Sequence, residues 1–155
     1  MTTMLFNENH SRSATPSPCA DPVSVAVVVL PERCYRCGEV TKSIVGVLLP
    51  TDLTEHPDGF VEFDFLATLI AAAASNADLA RFGIGPLKVR RSRPQPDGYL
   101  SNGCIHCDAI QGSFPLHEGL TEFLAEGGSY TDLIATCCAM PRAALTARLA
   151  DIELS

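Results

Sequence analysis

No apolar run in this 155-residue chain reaches the ~18 to 20 residues that a membrane-spanning helix requires. The most continuous one, Val23 to Leu30, lies between Pro22 and Pro31 and suits a buried strand. Basic residues are scarce: eleven Lys and Arg stand against eighteen Asp and Glu, a formal charge of -7. That balance favours solubility and opposes general attraction to a polyanion such as duplex DNA, whose non-specific affinity is built from Lys and Arg contacts. The basic start and apolar run of a secretory signal are missing too. Residues 1–22 are mostly polar and include Pro16, Pro18 and Pro22, so the cytoplasm is the expected location. No Ser/His/Asp set, phosphate loop or dinucleotide fingerprint is recognisable. Gly83-Ile-Gly85-Pro86 reads as helix termination and a turn.

What is present is enough for one core. With 46% of its residues hydrophobic, the chain predicts a single domain over residues 22–155, preceded by a disordered tail at 1–21 that is rich in Ser and Pro. Val23–Leu30 and Val40–Leu49 read as two strands of a hairpin. Pro57-Asp58-Gly59 reads as a turn, and a helix is expected from an Asp64 N-cap through Ala71–Ala74 to Gly83. Phe60–Phe63 has the alternative of a short strand. Leu87–Arg93 and Tyr99–Asn102 read as strands joined by Pro94–Gly98. Beyond Cys107 the expectation is helical. One helix starts near Pro115 and ends at Gly127-Gly128. A second is capped by Ser129 and Asp132 and carries Leu133, Ile134, Cys137 and Cys138, and a third starts at Pro141. The expected fold class is α+β, with two hairpins, one inserted helix between them and C-terminal helices.

The seven cysteines include two C-x-x-C pairs, Cys34/Cys37 and Cys104/Cys107. The odd total and the lack of an export signal favour reduced thiols over a disulfide scaffold. Two intervening residues let both thiolates of a pair converge while backbone N–H groups stabilise their charge, and two such pairs supply the four donors of a tetrahedral Zn²⁺ site. Gly38 follows the first pair, where a tight knuckle needs a left-handed backbone. Asp108 follows the second and tolerates that conformation better than most side chains do. Between Cys37 and Cys104 lie 66 residues, far more than the roughly 12 to 20 of short zinc modules, so the insertion has to fold back and the expected fold is a long-insertion zinc ribbon with two knuckle hairpins. Four thiolates close the coordination shell, which is the mark of a structural centre and not of a catalytic one.

Other residues weigh less. His106 reads as an exposed knuckle residue rather than a ligand. His117-Glu118 lacks the second histidine of H-E-x-x-H and falls after the C-x-x-C, not before it as in zinc deaminases. His10 and His56 fall in loops. Cys19 reads as a stray thiol, and Cys137-Cys138 as two packed small hydrophobes. Lys88, Arg90, Arg91 and Arg93 concentrate four of the eleven basic residues, either as a solvated strand edge or as a small nucleic-acid-binding patch that Arg33 and Arg36 would extend.

The stretch Tyr99-Leu-Ser-Asn-Gly-Cys104-Ile-His-Cys107-Asp-Ala-Ile-Gln-Gly112-Ser-Phe114 resembles the second knuckle of an uncharacterised bacterial zinc-ribbon family with a C-P-H-C-G/D-A-L-Q-G-D-F-like phrase. Cys34-Tyr-Arg-Cys37-Gly38 resembles its first. Ile105 stands where the phrase has proline and Asp108 where it has glycine, and all four cysteines are kept. The resemblance implies a zinc ribbon of the kind found alone or beside CoiA-like and other nucleic-acid-processing regions. Within the phrase, Gly112 is expected to permit a turn, Phe114 to plug the core between metal and helix, and Gln111 to bond a backbone or a partner.

Three functions compete. The first is a zinc-binding structural protein without catalytic activity, its C-terminal helices offering a surface to a protein partner or to a second copy. The second is an accessory to nucleic-acid processing. The third, a thiol-disulfide redox protein, predicts absent zinc and one cysteine of depressed pKa.

Overall fold

The computed structural model describes residues 22–55 and 57–154; the tail expected at 1–21, with Cys19 and His10, and His56 lie outside these residues. Strands β1 (Pro22–Arg33) and β2 (Val40–Leu48) form the expected antiparallel hairpin, with Arg33 opposite Val40 and Ala26 opposite Leu48. β1 is apolar at nearly every position because it is covered on both faces. Val23, Val25, Val27 and Val29 enter the larger core, whereas Val28 and Leu30 enter a smaller one on the other side. The pairing slips by one residue between Val28 and Val29, leaving Val45 of β2 as a bulge. Val45 packs in the smaller core while Ile44 and Val47 face the larger. A bulge shifts the alternation by one, so Ile44 and Val47, three positions apart, face the same core.

β3 (Phe60–Glu62) pairs with Gly46–Leu48 and runs straight into α1 (Phe63–Ala73). The helix therefore begins one residue before Asp64. Glu62 holds the N-cap position without a side-chain bond, and the Asp64 carboxylate accepts instead from Ser113 Oγ at 3.2 Å. Nor does α1 continue to Gly83. It stops at Ala73, and Ser75 caps a separate short helix, α2 (Asn76–Ala80), by accepting the Asp78 N–H at 3.1 Å. A serine able to restart a helix is also able to interrupt one. Gly83, at φ 78°, ends the turn after α2.

The second sheet consists of β4 (Leu87–Arg90), β5 (Tyr99–Gly103) and β6 (Ile110–Gln111), all antiparallel. α3 (Ser113–Ala125) lays Leu116 and Leu120 on Val28, Leu30 and Val45. Two expectations fail after it. Phe114 does not plug the core but is 72% exposed. The segment carrying Cys137 and Cys138 is not a helix. Ser129 and Asp132 do form a capping box, but on a single 3-10 turn (Tyr130–Leu133), after which Ile134–Pro141 is strand β7. β7 lies antiparallel to β1 and completes the order β3-β2-β1-β7. The free edge of β1 offered a ladder, and the β-branched Ile134 and Thr136 fit it. Met140 of β7 is fully buried. The chain then enters α4 (Arg142–Leu154), whose Leu145 reaches the larger core beside Ile70 of α1. Among the described residues the fold is thus mixed α+β, with antiparallel sheets and four α-helices.

How the insertion folds back is visible along the outer edge of β2. Beyond the reach of β3, Asn102 of β5 takes over. Its Oδ1 accepts the Ile44 N–H and its Nδ2 donates to the Ile44 carbonyl, both at 2.9 Å. One turn of the ladder further, the Lys42 N–H donates to Gly83 O at 3.2 Å, and the Gly85 N–H to Lys42 O at 3.1 Å. At the end, Thr41 Oγ1 accepts the Ile105 N–H at 2.9 Å, and His106 Nε2 lies 3.0 Å from the Val40 carbonyl oxygen. Asn76 repeats the Asn102 device on β4, accepting from the Leu87 N–H at 2.9 Å and donating to its carbonyl at 3.1 Å.

Candidate metal centre

Each C-x-x-C pair sits where a hairpin turns, Cys34 to Cys37 between β1 and β2 and Cys104 to Cys107 between β5 and β6. The two turns are built alike. The Cys34 N–H donates to Glu39 O at 2.8 Å and the Gly38 N–H to Cys34 O at 2.9 Å; the Cys104 N–H donates to Ala109 O and the Asp108 N–H to Cys104 O, both at 2.9 Å. Gly38 has φ 78° and Asp108 φ 63°, the two left-handed positions expected from the sequence, and Asp108 is the one non-glycine residue with positive φ among those described. In each knuckle a backbone N–H is aimed at the first sulfur: Arg36 N to Cys34 Sγ at 3.4 Å, and His106 N to Cys104 Sγ at 3.3 Å.

This repetition brings the four sulfurs together, all within 4.8 Å of one another. Cys34 Sγ lies 3.7 Å from Cys107 Sγ and Cys37 Sγ 3.6 Å from Cys104 Sγ. Four thiolates at the corners of a tetrahedron with metal–sulfur bonds of roughly 2.3 Å stand roughly 3.8 Å apart. A disulfide would need about 2.05 Å, and the cysteines are free. The donor set therefore fits a metal ion such as zinc. Cys34 and Cys104 are buried and Cys37 is exposed, so the cluster sits under one rim of the protein.

The thiols are unequal. The Cys37 and Arg36 backbone N–H groups, with hydrogen bonds from Cys107 and Cys104, lower Cys34 to about 6 against the opposing effect of desolvation. For Cys37 the Glu39 N–H pulls downward, yet desolvation and the neighbouring Cys104, Cys107 and Cys34 push it up to about 12. Cys107 is raised as well: the Ala109 N–H lowers it, and desolvation with Cys34 and Cys104 outweighs that. A divalent cation among these sulfurs would offset the desolvation and mutual crowding that raise Cys37 and Cys107.

Gln111, one of three phrase residues singled out by sequence, turns inward. It is 8% exposed, and its Nε2 donates to Cys34 Sγ at 3.5 Å and to Ala109 O at 3.1 Å. Gly112, by contrast, has an ordinary φ of -69° at the N-cap of α3. His106 is exposed and bonds to β2, as a knuckle residue should, and is not part of the cluster. Arg33 donates to Gly38 O at 3.0 Å and so braces the first knuckle.

Of the basic residues singled out, two are engaged by the second knuckle. Lys88 Nζ lies 2.9 Å from Asp108 Oδ2, and Arg90 contacts Asp108 Oδ1 while donating to Ser101 O and Pro86 O. These partners hold the Asp108 carboxyl below its usual range, Lys88 first and Arg90 after it, against desolvation. Arg91 and Arg93 remain exposed at the end of β4. Cys137 and Cys138 lie on β7, one exposed and one half-buried, and burial with the neighbouring Cys137 raises Cys138 to about 11. His117 is exposed on α3. No helix among the described residues is long and apolar enough to cross a membrane. No family model, curated protein or solved structure matches the chain.

Proposed function

We propose that this protein is a zinc-ribbon-like structural and interaction protein, in which one Zn²⁺ held by Cys34, Cys37, Cys104 and Cys107 organises a surface for a protein partner or a second copy. The observation that supports this most is the convergence of two knuckles with matching backbone bonds on one set of four sulfurs. An all-sulfur tetrahedral set suits zinc or iron, and zinc brings no redox chemistry of its own. Four protein ligands leave no position for water or substrate, so the ion holds the hairpins together and supplies no Lewis acid. The resemblance of Tyr99–Phe114 to a bacterial zinc-ribbon family points the same way. The depressed Cys34 also satisfies one expectation of the redox reading, but such a protein needs its two sulfurs to pair within one C-x-x-C. Here the 3.6 and 3.7 Å contacts run between the knuckles.

Native mass spectrometry with elemental analysis should find one zinc per chain. Iron in its place, or a folded protein with four titratable thiols and no metal, would refute the proposal. Cys104→Ser should abolish stoichiometric binding and loosen both knuckles, since in such sites metal-binding energy is folding energy.

A further inference from the structure

Far along the chain from the cysteines, a cleft of ≈ 340 Å³ opens between β3, the 3-10 turn at Thr51–Leu53, the turn at Tyr130–Leu133 and the end of α4. Its apolar walls include Leu53, Val61, Leu149 and Ile152. Phe60 and Tyr130 lie in it as a stacked pair, ring centroids 4.1 Å apart and planes at 6°. Among the described residues, the charged ones that line it are Asp58 and Glu62, both exposed, and none is basic. We infer that this cleft is a binding site for a small organic cation, an ammonium or amidinium carried on an apolar or aromatic body.

The chemistry follows from the pairing of those walls with that charge. The volume is that of a small-molecule site and is too small for the patch of a folded partner. An apolar body removes water from the Leu149 and Ile152 walls, and the cation is attracted by the two carboxylates that flank the aromatic pair. The negative field is felt within the cleft: burial, followed by the charges of Asp58 and Glu62, holds the Tyr130 hydroxyl protonated beyond its ordinary range. An anion would meet two like charges with no basic side chain among the described lining residues to offset them, and a neutral ligand would gain only the walls. Asp58 is partly committed to structure, its Oδ1 accepting the Phe60 N–H at 2.9 Å. Glu62 has no such structural bond and is the cleaner residue to change.

The inference does not depend on the identity of the metal. The test uses the full, metal-loaded chain, titrated by calorimetry and by ¹H–¹⁵N correlation spectra with 2-phenylethylammonium and with 2-phenylethanol, which has nearly the same shape without the charge. The ammonium is expected to bind about tenfold more tightly, with shifts centred on residues 58–62, 130 and 149–152. Glu62→Gln should remove most of that advantage and leave the weaker alcohol binding unchanged. Equal binding of the two ligands, shifts centred elsewhere, or no shift up to about 10 mM ligand would overturn the assignment. A Glu62→Gln protein that keeps the full preference would overturn it too.

Discussion

Asp108 carries three tasks at once: it closes the second knuckle at φ 63°, caps the Cys104 turn through its N–H, and ties down Lys88 and Arg90. A residue with a Cβ pays roughly 1–2 kcal/mol for the left-handed conformation unless its side chain offsets it. Asp108→Ala should therefore destabilise the metal-loaded protein by about 1–2 kcal/mol in urea unfolding, whereas Asp108→Gly should lose the ion pairs and regain the backbone freedom, with a smaller loss. Gln111 reaches the sulfur cluster through Cys34. Gln111→Leu removes the donor to that sulfur while keeping bulk, and chelator competition should show zinc affinity reduced about 10-fold or more. A variant with unchanged affinity would show that the 3.5 Å contact has no bearing on the metal.

Among the elements, β2 depends on the inserted segment for its outer ladder. Replacing Asn102 with Leu leaves the Ile44 N–H and carbonyl unpaired in a buried setting. With each such group costing about 1–3 kcal/mol, the variant should lose roughly 2–6 kcal/mol, and amide exchange at Ile44 should accelerate more than at Val47. Gly85 marks the same junction. A Cβ there would meet the backbone of Gly103 and Ile105, so Gly85→Ala should displace the second knuckle and lower zinc retention.

The hairpin of β1 and β2, both knuckle turns and their left-handed positions were legible because each rests on local chemistry: β-branched runs, paired cysteines, a glycine and an aspartate after them. What sequence could not supply were decisions made across the chain. Leu133, Ile134, Cys137 and Cys138 have spacings that serve a helix as well as a strand, and only the open edge of β1 decides for β7. Asn102 falls in an expected strand and Asn76 within an expected helix, and their role as stand-ins for backbone exists only once two distant segments meet. Phe114 looked like a core residue by type, but Leu116 and Leu120 already fill the face that α3 turns inward. Gln111 was visible as a phrase residue, and its contact with Cys34 spans 77 positions.

At the scale of the molecule, the four-cysteine cluster joins the hairpin of the larger sheet to the hairpin of the smaller one, while the hydrophobic cores lie mainly against the larger sheet. Chelation of the metal should therefore act unevenly. Hydrogen exchange is expected to rise first at residues 34–42 and 99–111 and last at Val25–Val29 and Met140, whose side chains are buried in the cores. Uniform loss of protection would mean that the centre supports the whole fold and not one end of it.

The relay of partners along β2 bears finally on behaviour in a crowded solution. Val40, Lys42 and Ile44 are covered by a histidine ring, a glycine-flanked loop and an amide side chain, none of them a strand. When the knuckles separate these coverings leave together, and a β-branched ladder with unpaired backbone groups is left facing outward, the template on which chains stack into aggregates. Metal-depleted protein is thus expected to scatter light at concentrations where the loaded form stays clear, a bound ion then guarding the chain from its own copies as well as from unfolding.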